Sequence, residues 1–205
     1  IETAATVKAG NGSGTRTLTI DNATLDLSSP GASLSMKGDN YTRYKVTVTN
    51  GGVLRVGEYA YDGAGLGSMA VNTGYWTLNN GRLEITKESD GTFGNGLTVA
   101  AGGGAVEVVN AGSTMSITAD NTHNIQLNGA LTITGAGNMI TGSDNAFRGT
   151  GRLIKDGSGT LTLANSSSFT GGVELKGGTL IVSHASGMGT NKNPVSYTHL
   201  RAHET

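Results

Sequence analysis

One five-residue phrase recurs along this chain and constrains its fold more than any other feature. It is a glycine, a variable residue, an apolar residue, a second variable residue and a second apolar one. Copies stand at Gly52-Val-Leu-Arg-Val56, Gly81-Arg-Leu-Glu-Ile85, Gly104-Ala-Val-Glu-Val108, Gly129-Ala-Leu-Thr-Ile133, Gly159-Thr-Leu-Thr-Leu163 and Gly178-Thr-Leu-Ile-Val182. The period is two, so each copy is a short strand with one face buried. Helical spacing fits none of them.

Further alternating runs lie between the copies: Thr17-Leu-Thr-Ile20, Thr24-Leu-Asp-Leu27, Ser33-Leu-Ser-Met36, Lys45-Val-Thr-Val48, Trp76-Thr-Leu78, Leu97-Thr-Val99, Met115-Ser-Ile117 and Ile125-Gln-Leu127. With Leu153-Ile154 and Val173-Glu-Leu175 they make about sixteen strands, roughly one every ten residues, and leave no room for a helix of ordinary length. Such strands build a sandwich, a barrel or a solenoid. Repetition of one phrase favours the solenoid, with two or three strands per coil. Each coil then pairs its backbone with its neighbours at about 4.8 Å and buries a column of Leu, Ile or Val. Corners that need positive φ are expected at Asn50-Gly51-Gly52, Asn79-Asn80-Gly81 and Gly102-Gly103-Gly104. Five coils at that spacing give roughly 25 Å of axial length.

Composition removes several function classes. The formal net charge of −1 points to no polyanionic partner such as nucleic acid. No cysteine is present, so disulfides, thiolate metal sites and cysteine nucleophiles are out together. The opening IETAATVKAG lacks the basic-then-apolar pattern of a signal peptide, and no window approaches about 18 apolar residues. The chain is expected to be a soluble internal fragment. Residues 195–205 close a stretch, PVSYTHLRAHET, that holds no glycine and two of the four histidines. Its composition resembles a translated cloning adapter, so it is set aside as a non-native tail.

The stretch Gly151-Arg-Leu-Ile-Lys-Asp-Gly-Ser-Gly-Thr-Leu-Thr-Leu163, followed by Phe169-Thr-Gly-Gly172 and Gly177-Gly-Thr-Leu-Ile-Val182, resembles the autotransporter-associated β-strand repeat. The match covers about 32 residues. Residues 1–150 share its style as degenerate coils, with a long loop near 57–76, and residues 151–194 hold the repeat itself. The resemblance implies an all-β, right-handed parallel β-helix of about five coils. It also implies the passenger region of a Gram-negative autotransporter-like protein, at the cell surface, attached to the outer membrane or extracellular. No aromatic-ended series of membrane strands appears here, so membrane attachment would run through a separate translocator barrel. The repeat carries no catalytic residues to transfer.

Carbohydrate-cleaving enzymes also use parallel β-helices, and their sites need converging carboxylates. Here the carboxylates are dispersed. Asp21 lies near Asp26, and Glu84 near Glu88 and Asp90. Glu107 sits on the face comparable to that of Glu84, one copy later, and is expected to stack near it. His123 and His184 lie 61 residues apart in polar loops and read as surface histidines. Gly65-Leu-Gly-Ser-Met-Ala70 matches a dinucleotide fingerprint formally, without the helix it requires. No metal, cofactor or catalytic residue is expected, and the chain is not read as an enzyme.

The largest departure from the strand pattern is GEYAYDGAGLGSMAVNTGYW, residues 57–76, which carries Tyr59, Tyr61, Tyr75 and Trp76. A loop thrown out of a coil is where specificity commonly resides, and clustered aromatics stack on sugars or partner proteins. The same aromatics serve equally to cap the core. A second cluster, Tyr41 and Tyr44 among Lys37, Arg43 and Lys45, is read as solvated. The expected function is a monomeric stalk segment of an adhesin-like passenger that presents loops to a host or neighbouring-cell glycan or protein. The alternative is a carbohydrate-binding or carbohydrate-cleaving β-helix, with the four aromatics as platform and Glu84 and Glu107 as its carboxylates. A stalk end without a cap should leave strand edges exposed.

Overall fold

A computed structural model describes residues 6–8, 14–29, 33–35, 42–57, 75–93, 96–118, 124–190 and 196–197. They form 22 strands, β1–β22 in chain order, and no helix among the described residues. The strands alternate among three faces. The first face stacks β2 (Gly14–Asp21), β5 (Thr42–Thr49), β7 (Tyr75–Asn79), β10 (Gly96–Val99), β13 (Ile125–Leu127), β16 (Phe147–Gly149) and β19 (Ser168–Phe169). The second face stacks β3 (Thr24–Leu27), β6 (Val53–Val56), β8 (Gly81–Ile85), β11 (Gly104–Val108), β14 (Leu131–Gly135), β17 (Leu153–Lys155), β20 (Val173–Leu175) and β22 (Ser196–Tyr197). The third face stacks β9 (Gly91–Phe93), β12 (Thr114–Ile117), β15 (Asn138–Thr141), β18 (Thr160–Leu163) and β21 (Thr179–Val182). A separate pair joins β1 (Thr6–Lys8) to β4 (Ser33–Ser35).

Every pairing is parallel, as a β-solenoid requires. Five coils, β7-β8-β9 to β19-β20-β21, supply a strand to all three faces, in accord with the expected all-β solenoid of about five coils. The repeated phrase serves two different faces. Its copies at Gly52, Gly81, Gly104 and Gly129 build the second face, whereas those at Gly159 and Gly178 build the third, where Thr160 to Leu163 pair residue for residue with Thr179 to Val182.

Strand parity decides what is inside. On the first face, Val46, Trp76, Leu97, Ile125 and Phe147 occupy one column, and Ile20, Val48, Leu78, Val99 and Leu127 the next. All ten are buried. The second face contributes Leu54, Leu83, Val106 and Ile133 in one column, and the third Met115, Met139 and Leu161. Stacking like on like lets each coil hand its apolar surface to the next.

Six strands are absent from the sequence reading: β1, β9, β15, β16, β19 and β22. Five of these, β1, β9, β16, β19 and β22, have only two or three residues with at most one large apolar side chain among them, so they display no alternation. Strand β15 turns Thr141 inward, so its pattern is not purely apolar. Thr141 is accommodated because its hydroxyl accepts from the amides of Ala164 and Asn165 at 2.8 and 3.1 Å.

Each of the three expected corners holds a residue at positive φ, and Asn22 adds one the sequence reading did not name. Asn22, Asn50 and Asn80 have φ of 45°, 52° and 58°, and Gly51 and Gly103 have 81° and 76°. Asparagine tolerates this left-handed region better than other side chains, and glycine pays no Cβ penalty there. Successive corners bond to each other, Asn50 N–H to the Asn79 carbonyl and Asn80 N–H to that of Gly103. At Gly81 the demand is steric, since a Cβ would collide with the Val48 carbonyl of the preceding coil.

Lys155 breaks the core rule. It continues the column of Leu54, Leu83, Val106 and Ile133 and is 1% exposed. Its ammonium donates to the carbonyls of Asp156, Gly157 and Gly177, which line the turn out of β17 and its counterpart one coil on. Burial pushes this amine below the usual lysine range, opposed by the Asp156 charge.

Two stability outcomes follow from this packing. Gly81→Ala should destabilise by about 1–3 kcal/mol, whereas Gly112→Ala, which meets nothing within 4 Å, should stay within about 0.5 kcal/mol, both read by thermal or denaturant unfolding. Lys155→Met should cost about 1–3 kcal/mol near neutral pH because three carbonyls lose their donor. The unfolded chain binds the Lys155 proton more tightly, so wild-type stability rises with pH toward 10.5, and the deficit of Lys155→Met should widen over that interval.

Candidate functional site

The sequence-predicted aromatic platform is only partly placed. Tyr59 and Tyr61 lie outside the described residues; Tyr75 opens β7, with its side chain also outside them. Trp76 corrects the expectation of an exposed platform. It is 2% exposed and meets Phe93 edge-on, with ring centroids 6.3 Å apart and planes at 87°. The cause is parity: Leu78 points inward, so Trp76, two residues earlier, does too. Its indole N–H has no hydrogen-bond partner among the described residues.

The carboxylates form a different arrangement from an acid–base pair. On the outer side of the second face, Asp26, Arg55, Glu84 and Glu107 occupy consecutive rungs of one column, so Glu84 and Glu107 are the neighbours the sequence suggested. Arginines interleave them. Arg55 Nη1 reaches Asp26 Oδ2 at 2.6 Å, and Arg55 Nε reaches Glu84 Oε2 at 2.6 Å. Arg82, from the adjacent column, reaches Glu84 Oε1 at 3.0 Å and Glu107 Oε2 at 3.2 Å. Charge therefore alternates along the series of ion pairs, with Arg82 set between the two acidic rungs Glu84 and Glu107.

Glu84 is the buried member, 6% exposed, and each of its oxygens is bound by a different guanidinium. Both glutamates accept from Arg82, which leaves neither as an unencumbered acid or base. The Ser28 hydroxyl and amide, then Arg55, hold the Asp26 carboxyl below the usual 3.8. In turn Asp26 and then Glu84 raise the Arg55 guanidinium. A second, smaller set lies further along the face, where Arg152 and Lys176 both reach Glu174, at 3.1 and 3.7 Å.

The remaining candidates are dispersed. His184 accepts from the Ser186 amide at 3.1 Å and is exposed, while His123 and residues 65–70 lie outside the described residues. No group of three or more His, Asp or Glu suited to a metal occurs among the described residues. Sequence reasoning passed over the arginines of the ladder. Arg55 and Arg82 are 29 and 25 residues from Glu84 and Glu107 respectively, a partnership visible only once the coil length is known.

Arg55→Met should cost about 1–3 kcal/mol by exposing the buried Glu84 to incomplete pairing, whereas Arg152→Met, an exposed pair, should cost less than about 1 kcal/mol. Asp26 titrates lower when folded than when unfolded, so its contribution is present above 3.8 and lost as pH falls through the lower folded value. Asp26→Asn should accordingly flatten the acid limb of the melting-temperature profile below pH 3.8.

Residues 153–182, from β17 through β21, match the passenger-associated-transport-repeat. Over 149 residues, 72% of this chain, the sequence is 32% identical to the adhesin BmaC autotransporter of Brucella suis biovar 1 (strain 1330). The matched region is 4% of that protein, so the chain spans a small part of its relative's length. No solved structure matches. By its repeat, its relative and its coil geometry together, this is a β-solenoid segment of the autotransporter passenger type.

Proposed function

We propose that the chain is a stalk segment of a surface-displayed, adhesin-like passenger and that it works by extension, holding loops away from the cell. The observation that carries this reading is the unbroken parallel stacking of the first and second faces through seven strands each, β22 of the C-terminal tail left aside. Such a rod transmits position without a hinge, because each coil contacts only its neighbours and contacts them throughout. Support for the adhesive role comes from the relative, which is named an adhesin. Loop presentation at residues 57–76 belongs to the same proposal: β6 ends at Val56 and β7 begins at Tyr75, and an insertion there leaves the register of Val46 with Trp76 undisturbed.

The alternative of glycan cleavage has less support, since the Glu84–Glu107 pair is held by arginine. Glycan binding does not need that pair and stays within the stalk reading. Small-angle scattering tests the stalk directly. A monomeric particle whose scattering profile fits the stacked coils, about 29 Å along the axis, is the expected result, and a dimer or a profile that the stack does not fit would overturn it. Deleting residues 58–74 and rejoining the strands with a short glycine linker should keep the melting transition while removing any adhesion that the loop provides.

A further inference from the structure

The outer side of the first face carries a feature that neither the repeat family nor the relative assigns. Seven rungs place Thr19, Thr47, Thr77, Thr98, Gln126, Arg148 and Ser168 in one register column. Each is exposed or partly exposed and is flanked in its strand by inward residues, as Thr77 is by Trp76 and Leu78. Hydroxyls, an amide and a guanidinium thus recur at about 4.8 Å over roughly 29 Å.

The net charge of −1 by itself points to no polyanionic partner, but the distribution of charge separates this face from its neighbour. On the second face the acids Asp26, Glu84, Glu107 and Glu174 are met by Arg55, Arg82 and Arg152. On the first face, Arg148 has no carboxylate or hydrogen-bond partner among the described residues, and its Nε is buried without an acceptor. Lys45, exposed in the flanking column, is likewise unpaired among them. The acid on this face is Asp21, at the corner edge and bound by the Asn50 amide at 2.9 Å. Four rungs, about 19 Å, separate Lys45 from Arg148 along the axis.

We propose that this face binds an extended anionic glycan chain laid along the solenoid axis, with Lys45 and Arg148 holding its acidic groups and the Thr–Gln column its hydroxyls. Two unpaired cations so far apart select a polymer over a small anion, which spans only one of them. Threonine hydroxyls and the Gln126 amide, which also donates to Asn128 Oδ1 at 3.1 Å, both donate and accept, which matches the hydroxyls of successive sugar rings, whereas the side chains of an acidic peptide only accept. The proposal deepens the stalk reading by naming its partner and rests on it only for surface display.

The test uses the whole chain with immobilised dextran sulfate, neutral dextran and polyglutamate. Wild type should bind dextran sulfate in a salt-sensitive way and at least about tenfold more tightly than either other polymer. Lys45→Gln with Arg148→Gln should lose about tenfold in affinity, while Arg152→Gln, on the second face, should bind as wild type does. Thr77→Val with Thr98→Val, which keeps β-branching, should weaken binding without changing its salt dependence. A sulfated monosaccharide should compete poorly. Equal binding to polyglutamate, equal loss in Arg152→Gln, or no binding at low ionic strength would overturn the proposal. A monomer whose scattering fits the stacked coils but which ignores dextran sulfate rejects the glycan face and leaves the stalk standing. Melting curves confirm that each variant is folded.

Discussion

Backbone pairing between successive coils is the constraint on which everything else here depends. A strand of three to five residues cannot hold its own conformation in isolation, so every peptide group must find a partner one rung above or below. That is possible only if each coil turns its corners in the same way as the one before. The asparagines at 22, 50 and 80 and the glycine at 103 meet that demand by entering positive φ. Corner residues are thus as tightly constrained as the core, although they bury little.

Once the corners repeat, the inward slots become interchangeable within limits. One first-face column accepts valine, tryptophan, leucine, isoleucine and phenylalanine in succession, because neighbours above and below adjust to volume. The second-face column goes further and accepts Lys155. A buried ammonium is costly unless its donors are satisfied, and here the turn beyond β17 supplies carbonyls that would otherwise lack partners. The lysine within the repeat signature therefore reads as a corner fastening placed at a core position. That explains why it sits two residues before a glycine at φ 69°.

This logic also sets what the sequence could reveal. Runs such as Gly81-Arg-Leu-Glu-Ile85 show strand, parity and glycine corner together, and the stacking of Glu84 with Glu107 followed from counting copies. Trp76 was legible too, since its own strand run put it on the same side as Leu78; aromatic clustering with Tyr75 was the weaker signal. Strands such as Ser168–Phe169 were not legible, because two residues carry no period. Arg55 and Arg82 were hidden for another reason. Their partners depend on how many residues each coil consumes, and coils here differ in length where loops leave the rungs.

A solenoid offers its surroundings faces as well as loops, and the two outer faces described here use charge oppositely. Arginine and carboxylate alternate on the second face, so its field cancels over a few ångströms and its side chains are spent on one another. The first face pairs little of its polar surface internally. Threonine columns are favoured by β propensity alone, and a solvated wall of threonine would need no further reason. Unpaired cations four rungs apart do not follow from propensity, however, and nothing in the packing of Phe147 or Val46 requires a charge at the next position. Repetition fixes where a side chain points, and the choice of a cation at those outward positions is what distinguishes a recognition face from a structural one.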